Sequence, residues 1–133
     1  MKKILIDSDA YTFFIKGDKD VQWELENADK VYVSVIVLGE LLAAFKKGSR
    51  EKENLKLLSK FLAKITVETL IVSKETAEVN AETKKLLENI GKPIPSNDLW
   101  IASQAIETGS MLITFDKHYL HISGLRLWNN LNP

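Results

Sequence analysis

Short apolar runs alternate along this chain with longer stretches that repeat every three to four residues. Residues 3–7 carry the run Ile4-Leu5-Ile6, end on Asp7 and read as a strand; residues 31–34, 66–72, 111–115 and 125–128 read the same way. Between them, helical spacing of apolar positions predicts helices over 8–16, 18–27, 35–47, 51–64, 73 to about 89, and 97–108. Gly17, Gly48, Gly91 and Gly109 stand at or just past the ends of four of these. Strands alternating with helices predict a parallel sheet covered on both faces. Right-handed crossovers then bring every strand's C-terminus to one edge, where open α/β sheets place their chemistry.

The helix over 51–64 is amphipathic. Leu55, Leu57, Leu58, Phe61 and Leu62, with Ile65 just beyond, share one half of its wheel, and Lys52, Lys56, Lys60 and Lys64 share the other. The lysine stripe is either a solvated face or a track for an RNA backbone. The most apolar stretch, 31–45, is broken by Ser34, Gly39 and Glu40 and is too short to span a membrane. Lys2 and Lys3 precede only three apolar residues before Asp7, too few for a signal-peptide core. With no repeat, linker or low-complexity tract, a single domain over 1–133 in the cytoplasm is expected.

Composition narrows the chemistry. With 133 residues, 45% hydrophobic and 27% charged, the chain can bury its own core without staples. It has no cysteine, which excludes disulfides, thiol catalysis and thiolate metal sites, and only two histidines, His118 and His121. Eighteen basic residues balance eighteen acidic ones, so any polyanion has to be met by a local patch. Only Arg50 and Arg126 offer a guanidinium fork.

Four acids stand out by position. Asp7 ends the first strand and Asp116 follows the fourth; either alone suits a helix cap or turn. Glu40 has Ile36, Val37, Ala43 and Ala44 as its helical neighbours, so a buried carboxylate needing a cation or an ion pair is expected. Asp98 opens a helix after Pro93-Ile94-Pro95-Ser96-Asn97, a place the helix dipole already favours for an acid. Were the four to converge, each pair about 4 Å apart would repel by roughly 1 kcal/mol in water and roughly 4 kcal/mol at an effective dielectric near 20. Such a pocket would hold protons or a divalent cation, and all-oxygen donors suit Mg2+ or Mn2+. Metal-assisted phosphoryl hydrolysis is the reaction implied.

Four segments, in order along nearly the whole chain, resemble the PIN-domain ribonucleases, most closely the toxins of VapBC-type toxin–antitoxin pairs. They are Ile4-Leu5-Ile6-Asp7-Ser8, Ser34 through Leu41, Pro93 through Ala102 with its Asn97-Asp98-x-x-Ile101-Ala102 signature, and Leu112 through Tyr119 with its sequel Ile122-Ser123-Gly124-Leu125. The resemblance implies a three-layer α/β/α fold with a mainly parallel five-stranded sheet. It further implies Mg2+ or Mn2+ held by Asp7, Asp98 and Asp116, with Glu40 as a further ligand or the orienter of the attacking water. The products would be a 3′-hydroxyl and a 5′-phosphate of RNA. A homodimer and a cognate antitoxin that blocks the site are the partners implied.

The sequence departs from that pattern in two places. Asp9 stands where Asn or Ser is frequent, and either caps the first helix, the favoured reading, or adds charge to the site. Phe115 stands where Asn is common, which leaves the polar network behind Asp116 in question. Ser8 and Thr114 are candidates to orient phosphate or water, or simple turn formers. His118 and His121 follow Asp116 at a spacing that could suggest a transition-metal site, but such a site wants more ligands, and both read as loop or surface residues; Trp23, Trp100 and Trp128 read as core or interface anchors. Two rivals compete. A haloacid-dehalogenase-like phosphatase would use Asp7-Ser8-Asp9, with Asp7 as nucleophile and Ser34 as its strand-end hydroxyl. A catalytically silent PIN-like scaffold would only bind a partner.

Overall fold

The computed structural model describes residues 1–128, so the last five residues of the predicted 1–133 domain lie outside the described residues. The elements run β1 (Lys3–Ile6), α1 (Ser8–Ile15), α2 (Lys19–Asn27), β2 (Lys30–Ser34), α3 (Val35–Lys47), α4 (Glu51–Leu62), β3 (Val67–Leu70), α5 (Lys74–Asn89), α6 (Ser96–Thr108), β4 (Met111–Ile113), a 3₁₀ helix (Lys117–His121) and β5 (Arg126–Leu127). The described helices and strands are those the periodicity predicts, within a few residues at each end. The 3₁₀ turn, too short to carry a period, is new.

The five strands form one sheet in the order β3-β2-β1-β4-β5, and all four neighbouring pairs are parallel. Helices cover it as the outer layers of a three-layer α/β/α fold. The chain builds outward from β1 through β2 to β3, then returns through α5 and α6 to lay β4 on the other side of β1. The reversal makes the β1–β4 seam the topological switch point, the place in an open α/β sheet where a crevice opens beyond the strand ends. Ile4, Leu5 and Ile6 of β1 and Leu112 and Ile113 of β4 are fully buried, as strands covered on both faces require.

Local chemistry starts the helices. Asp7, Asp18 and Ser34 each cap the helix that follows by accepting from its first turn. Ser73 and Thr76 form a reciprocal capping box on α5. Gly109 ends α6 in the left-handed region, at φ 67°, and its N–H and that of Ser110 bond back to Ile106 and Ala105. The tight stop turns the chain directly into β4.

Two packing expectations are corrected. On α4, Leu58 and Phe61 are buried, but Leu55 and Leu57 are exposed, and Ile65 beyond the helix is wholly so. Periodicity gives the apolar face but not how much of it the short edge strand β3 can cover. Trp23 is likewise no core anchor: it is 56% exposed, with the Lys2 ammonium 4.7 Å from its ring centre. Trp128 is buried, and its indole N–H donates to Glu24 Oε2 at 2.9 Å.

Candidate active site

The β1–β4 register builds the centre of the site. Ile6 pairs with Ile113, so the next residues, Asp7 and Thr114, leave the sheet side by side, with the Asp7 N–H donating to the Ile113 carbonyl at 3.3 Å. Asp7 is 5% exposed. Its Oδ1 accepts the Ala10 N–H at 2.9 Å, and its Oδ2 accepts the Thr114 hydroxyl. That hydroxyl, fully buried, accepts the Asp116 N–H at 3.0 Å. One Thr side chain thus ties the first acid to the backbone of the last. Burial pushes the Asp7 carboxyl up to about 6; the hydrogen bonds from Thr114 and Ala10 oppose the rise, and the charges of Asp9 and Asp116 add to it.

Asp98, Asp116 and His118 bring donor atoms within 4.8 Å of one another; Asp7 and Glu40 are not part of that group, and Glu40 is linked to the site through Ser8. Asp98 arrives on the first turn of α6, and Asp116 as the N-cap of the 3₁₀ helix, where its Oδ1 accepts the His118 N–H at 2.9 Å. The His118 ring closes the gap between them: its Nδ1 lies 2.9 Å from Asp98 Oδ2 and 3.1 Å from Asp116 Oδ1. Glu40, on the second turn of α3, accepts the Ser8 hydroxyl at Oε1, 3.2 Å away. Hydrogen bonds therefore run from Asp7 through Thr114, Asp116 and His118 to Asp98, and Glu40 joins them through Ser8, the chain neighbour of Asp7. Tyr119, 2% exposed, lies against this cluster; burial, then the charges of Asp98, Asp7 and Asp116, hold its phenol neutral, above the usual range.

Several expectations change on contact with the geometry. Glu40 is not sealed among apolar side chains: it is half-buried, and Ala43 and Ala44 beside it are exposed. Asp9 does not cap α1. Asp7 does, and exposed Asp9 acts on it only through charge. Thr114 points inward to Asp7 rather than out to a ligand. Phe115 replaces a polar network by an aromatic one, its ring 4.6 Å from that of Phe13 and 5.2 Å from that of Trp128. His121 is an exposed residue, as read, but His118 belongs among the acids. The signal for it was present: an Asp that accepts the N–H two residues on folds that residue back over its own carboxylate. The phosphatase reading loses its strand-end hydroxyl, since Ser34 spends it capping α3 at the Ile36 N–H.

Acidic side chains beyond the carboxyl ends of β1 and β4, at the switch point of a parallel sheet, place the candidate site where an open α/β protein carries its chemistry. The PIN domain profile matches residues 4–125, and the chain belongs to that family, which is one of nucleases. In fold it is similar to a chain of VapBC2 from Rickettsia felis bound to a promoter DNA fragment, at 27% identity and TM-score 0.84 over 95% of this chain and 97% of that one. It is also similar to DNA-bound VapBC from Salmonella typhimurium, at 23% identity and TM-score 0.81 over 96% and 98% of the two chains. A third similar structure is VapBC-5 of Mycobacterium tuberculosis, a member of the VapBC family of toxin–antitoxin systems, at 23% identity and TM-score 0.73 over 96% and 97%. No curated protein matches the chain in sequence. No described helix is long and apolar enough to cross a membrane.

Proposed function

We propose that this chain is a Mg2+- or Mn2+-dependent endoribonuclease, the toxin of a VapBC-type pair. It works as a single cytoplasmic domain over 1–133, forms a homodimer, and is silenced by a cognate antitoxin. The observation that carries this reading is Asp7: a carboxyl buried at the switch point, raised to about 6 and joined through Thr114 to Asp116. A site that crowds acids at that cost in solvation asks for a cation. The donor set fits one. Asp7, Asp98, Asp116 and Glu40 present hard carboxylate oxygens, and no cysteine competes. The antitoxin partner is supported by the toxin–antitoxin complexes to which the fold is similar.

When bound, the cation supplies charge neutralisation at the phosphodiester and a lowered pKa for water. The chain's own residues do the rest. Asp98 and Asp116, at 16% and 31% side-chain exposure, stand open to an incoming phosphate, while Asp7 is fixed behind them by two hydrogen bonds. Glu40, steadied by Ser8, orients the attacking water and takes its proton. Water adds at phosphorus, the bond to the 3′-oxygen breaks, and that oxygen leaves with a proton, giving a 3′-hydroxyl and a 5′-phosphate. A magnesium-dependent cleavage assay on RNA and DNA oligonucleotides, with product ends identified, tests this. The wild type should cut RNA, and Glu40→Gln and Asp98→Asn should not. Full activity in Asp98→Asn, or 3′-phosphate products, would sink the assignment; a folded protein that cuts nothing would return the silent scaffold.

A further inference from the structure

His118 is the one imidazole set among the acids of the site, and its placement is specific. Asp116 holds its backbone N–H at 2.9 Å, so the residue cannot turn away without uncapping the 3₁₀ helix. The ring then aims Nδ1 into the notch between two carboxylates that come from separate elements, one on α6 and one after β4. Nδ1 and one oxygen from each of Asp98 and Asp116 all lie within 4.8 Å of one another, the spread of donor atoms that a single ion gathers. The Nδ1–H that donates to a carboxylate and, once that proton is lost, the Nδ1 lone pair that binds a cation lie along the same direction, so a cation in this notch meets the ring without a change of rotamer.

We propose that His118 Nδ1 is itself a ligand of the cation, with Asp98 and Asp116, making a mixed nitrogen–oxygen site that favours Mn2+ over Mg2+. The proposal rests on the cation site argued above and adds the donor that sets its preference. Mg2+ takes oxygen almost exclusively and gives up its waters reluctantly, whereas imidazole is an ordinary ligand for first-row transition ions. Asp7 lies deeper, with both oxygens already engaged, and takes its place behind the three-donor notch. The rival assignment for His118 is a hydrogen-bond donor that merely orients Asp98.

The test uses the full chain, stripped of metal, at about pH 8, where protons compete only weakly with a cation for a ring nitrogen. Mn2+ binding is titrated by the loss of the free-ion EPR signal, Mg2+ is added in competition, and pulsed EPR of the frozen complex looks for nitrogen coupled to the ion. The expected result is a 14N coupling that becomes a 15N coupling with labelled histidine, survives His121→Gln and vanishes in His118→Gln. Alongside it, His118→Gln should weaken Mn2+ by about tenfold or more while moving Mg2+ far less. Mn2+ bound at one site, lost in Asp98→Asn but showing no nitrogen coupling, would overturn the ligand role of His118 and leave the acid site standing. No Mn2+ binding to the folded wild type would remove both.

Discussion

Removing the charge of Asp7 should stabilise the metal-free protein, by an amount that depends on pH in a defined direction. Burial raises this carboxyl from its usual 3.8 to about 6. Below about pH 4 the folded and unfolded chains both carry its proton and the site costs nothing. Between about 4 and 6 the folded chain holds a proton that the unfolded chain has released, so stability falls as pH rises, and above about 6 the full penalty applies. The rise from 3.8 to about 6, at 1.36 kcal/mol for each tenfold change in proton affinity, is worth about 3 kcal/mol. In Asp7→Asn the amide oxygen keeps the Ala10 N–H, and the Thr114 hydroxyl turns to accept from the amide. A neutral pair replacing a charged one gives back about 1 kcal/mol, for a net gain of about 2 kcal/mol, or about 7 °C in Tm for a chain of this size. Urea unfolding of both proteins in chelator, from about pH 4 to about pH 8, measures it. The difference should open through the acid range and stay flat beyond. His118, which also titrates, is present in both proteins and cancels. A difference independent of pH, or one that shrinks as pH rises, would show that Asp7 carries no such burden. Saturating Mn2+ should reverse the order, since only the wild type gains fully from binding.

Other outcomes follow from the same contacts. His118 should titrate by NMR above the ordinary histidine value, because Asp98 accepts from its ring and Asp116 adds its charge; Asp98→Asn should lower it, and a normal value in the wild type would deny the contact. Glu24→Ala should cost about 3 kcal/mol in urea unfolding, since it strands the buried Trp128 indole N–H and frees Lys2, which lies 2.6 Å from the carboxylate. Gly109→Ala should cost about 1 kcal/mol, because the α6 stop at φ 67° strains any residue with a Cβ; an unchanged midpoint would refute that reading.

What the chain announces and what it conceals divide along one physical line. Strands and helices were legible because each rests on a local pattern with a local stop: Asp7 or Ser34 ahead of a helix, Gly109 behind one. The acids were legible as types at strand ends, since all-parallel topology puts every such end on one edge. Their contacts were not. That β4 lies against β1 rather than beyond β3 is a long-range pairing, and only this pairing sets Thr114 beside Asp7. The Thr114 hydroxyl, the inward turn of His118 and the buried phenol of Tyr119 all depend on it. Exposure was concealed for a different reason: periodicity assigns Leu55 and Leu57 to the apolar face of α4, but how far that face is covered is decided by strands remote in the chain.

The β1–β4 seam also explains why the site combines a rigid half with an open one. Asp7 is locked by the register: its position follows from Ile6 opposite Ile113, and its two oxygens are taken by Ala10 and Thr114. Asp98 and Asp116 hang on a helix start and a short 3₁₀ turn, each more exposed, and meet through a histidine half in solvent. Cation release and substrate entry require exposed donors, whereas a fixed reference charge requires a buried one. A substitution in the seam, such as Thr114→Val, should therefore disturb the whole site, because it takes a partner from Asp7 and from the Asp116 N–H at once. A substitution at the rim, such as His118→Gln, should change which ion binds and leave the fold untouched. Thermal unfolding and Mn2+ titration of the two variants separate these outcomes, and equal effects from both would refute the division.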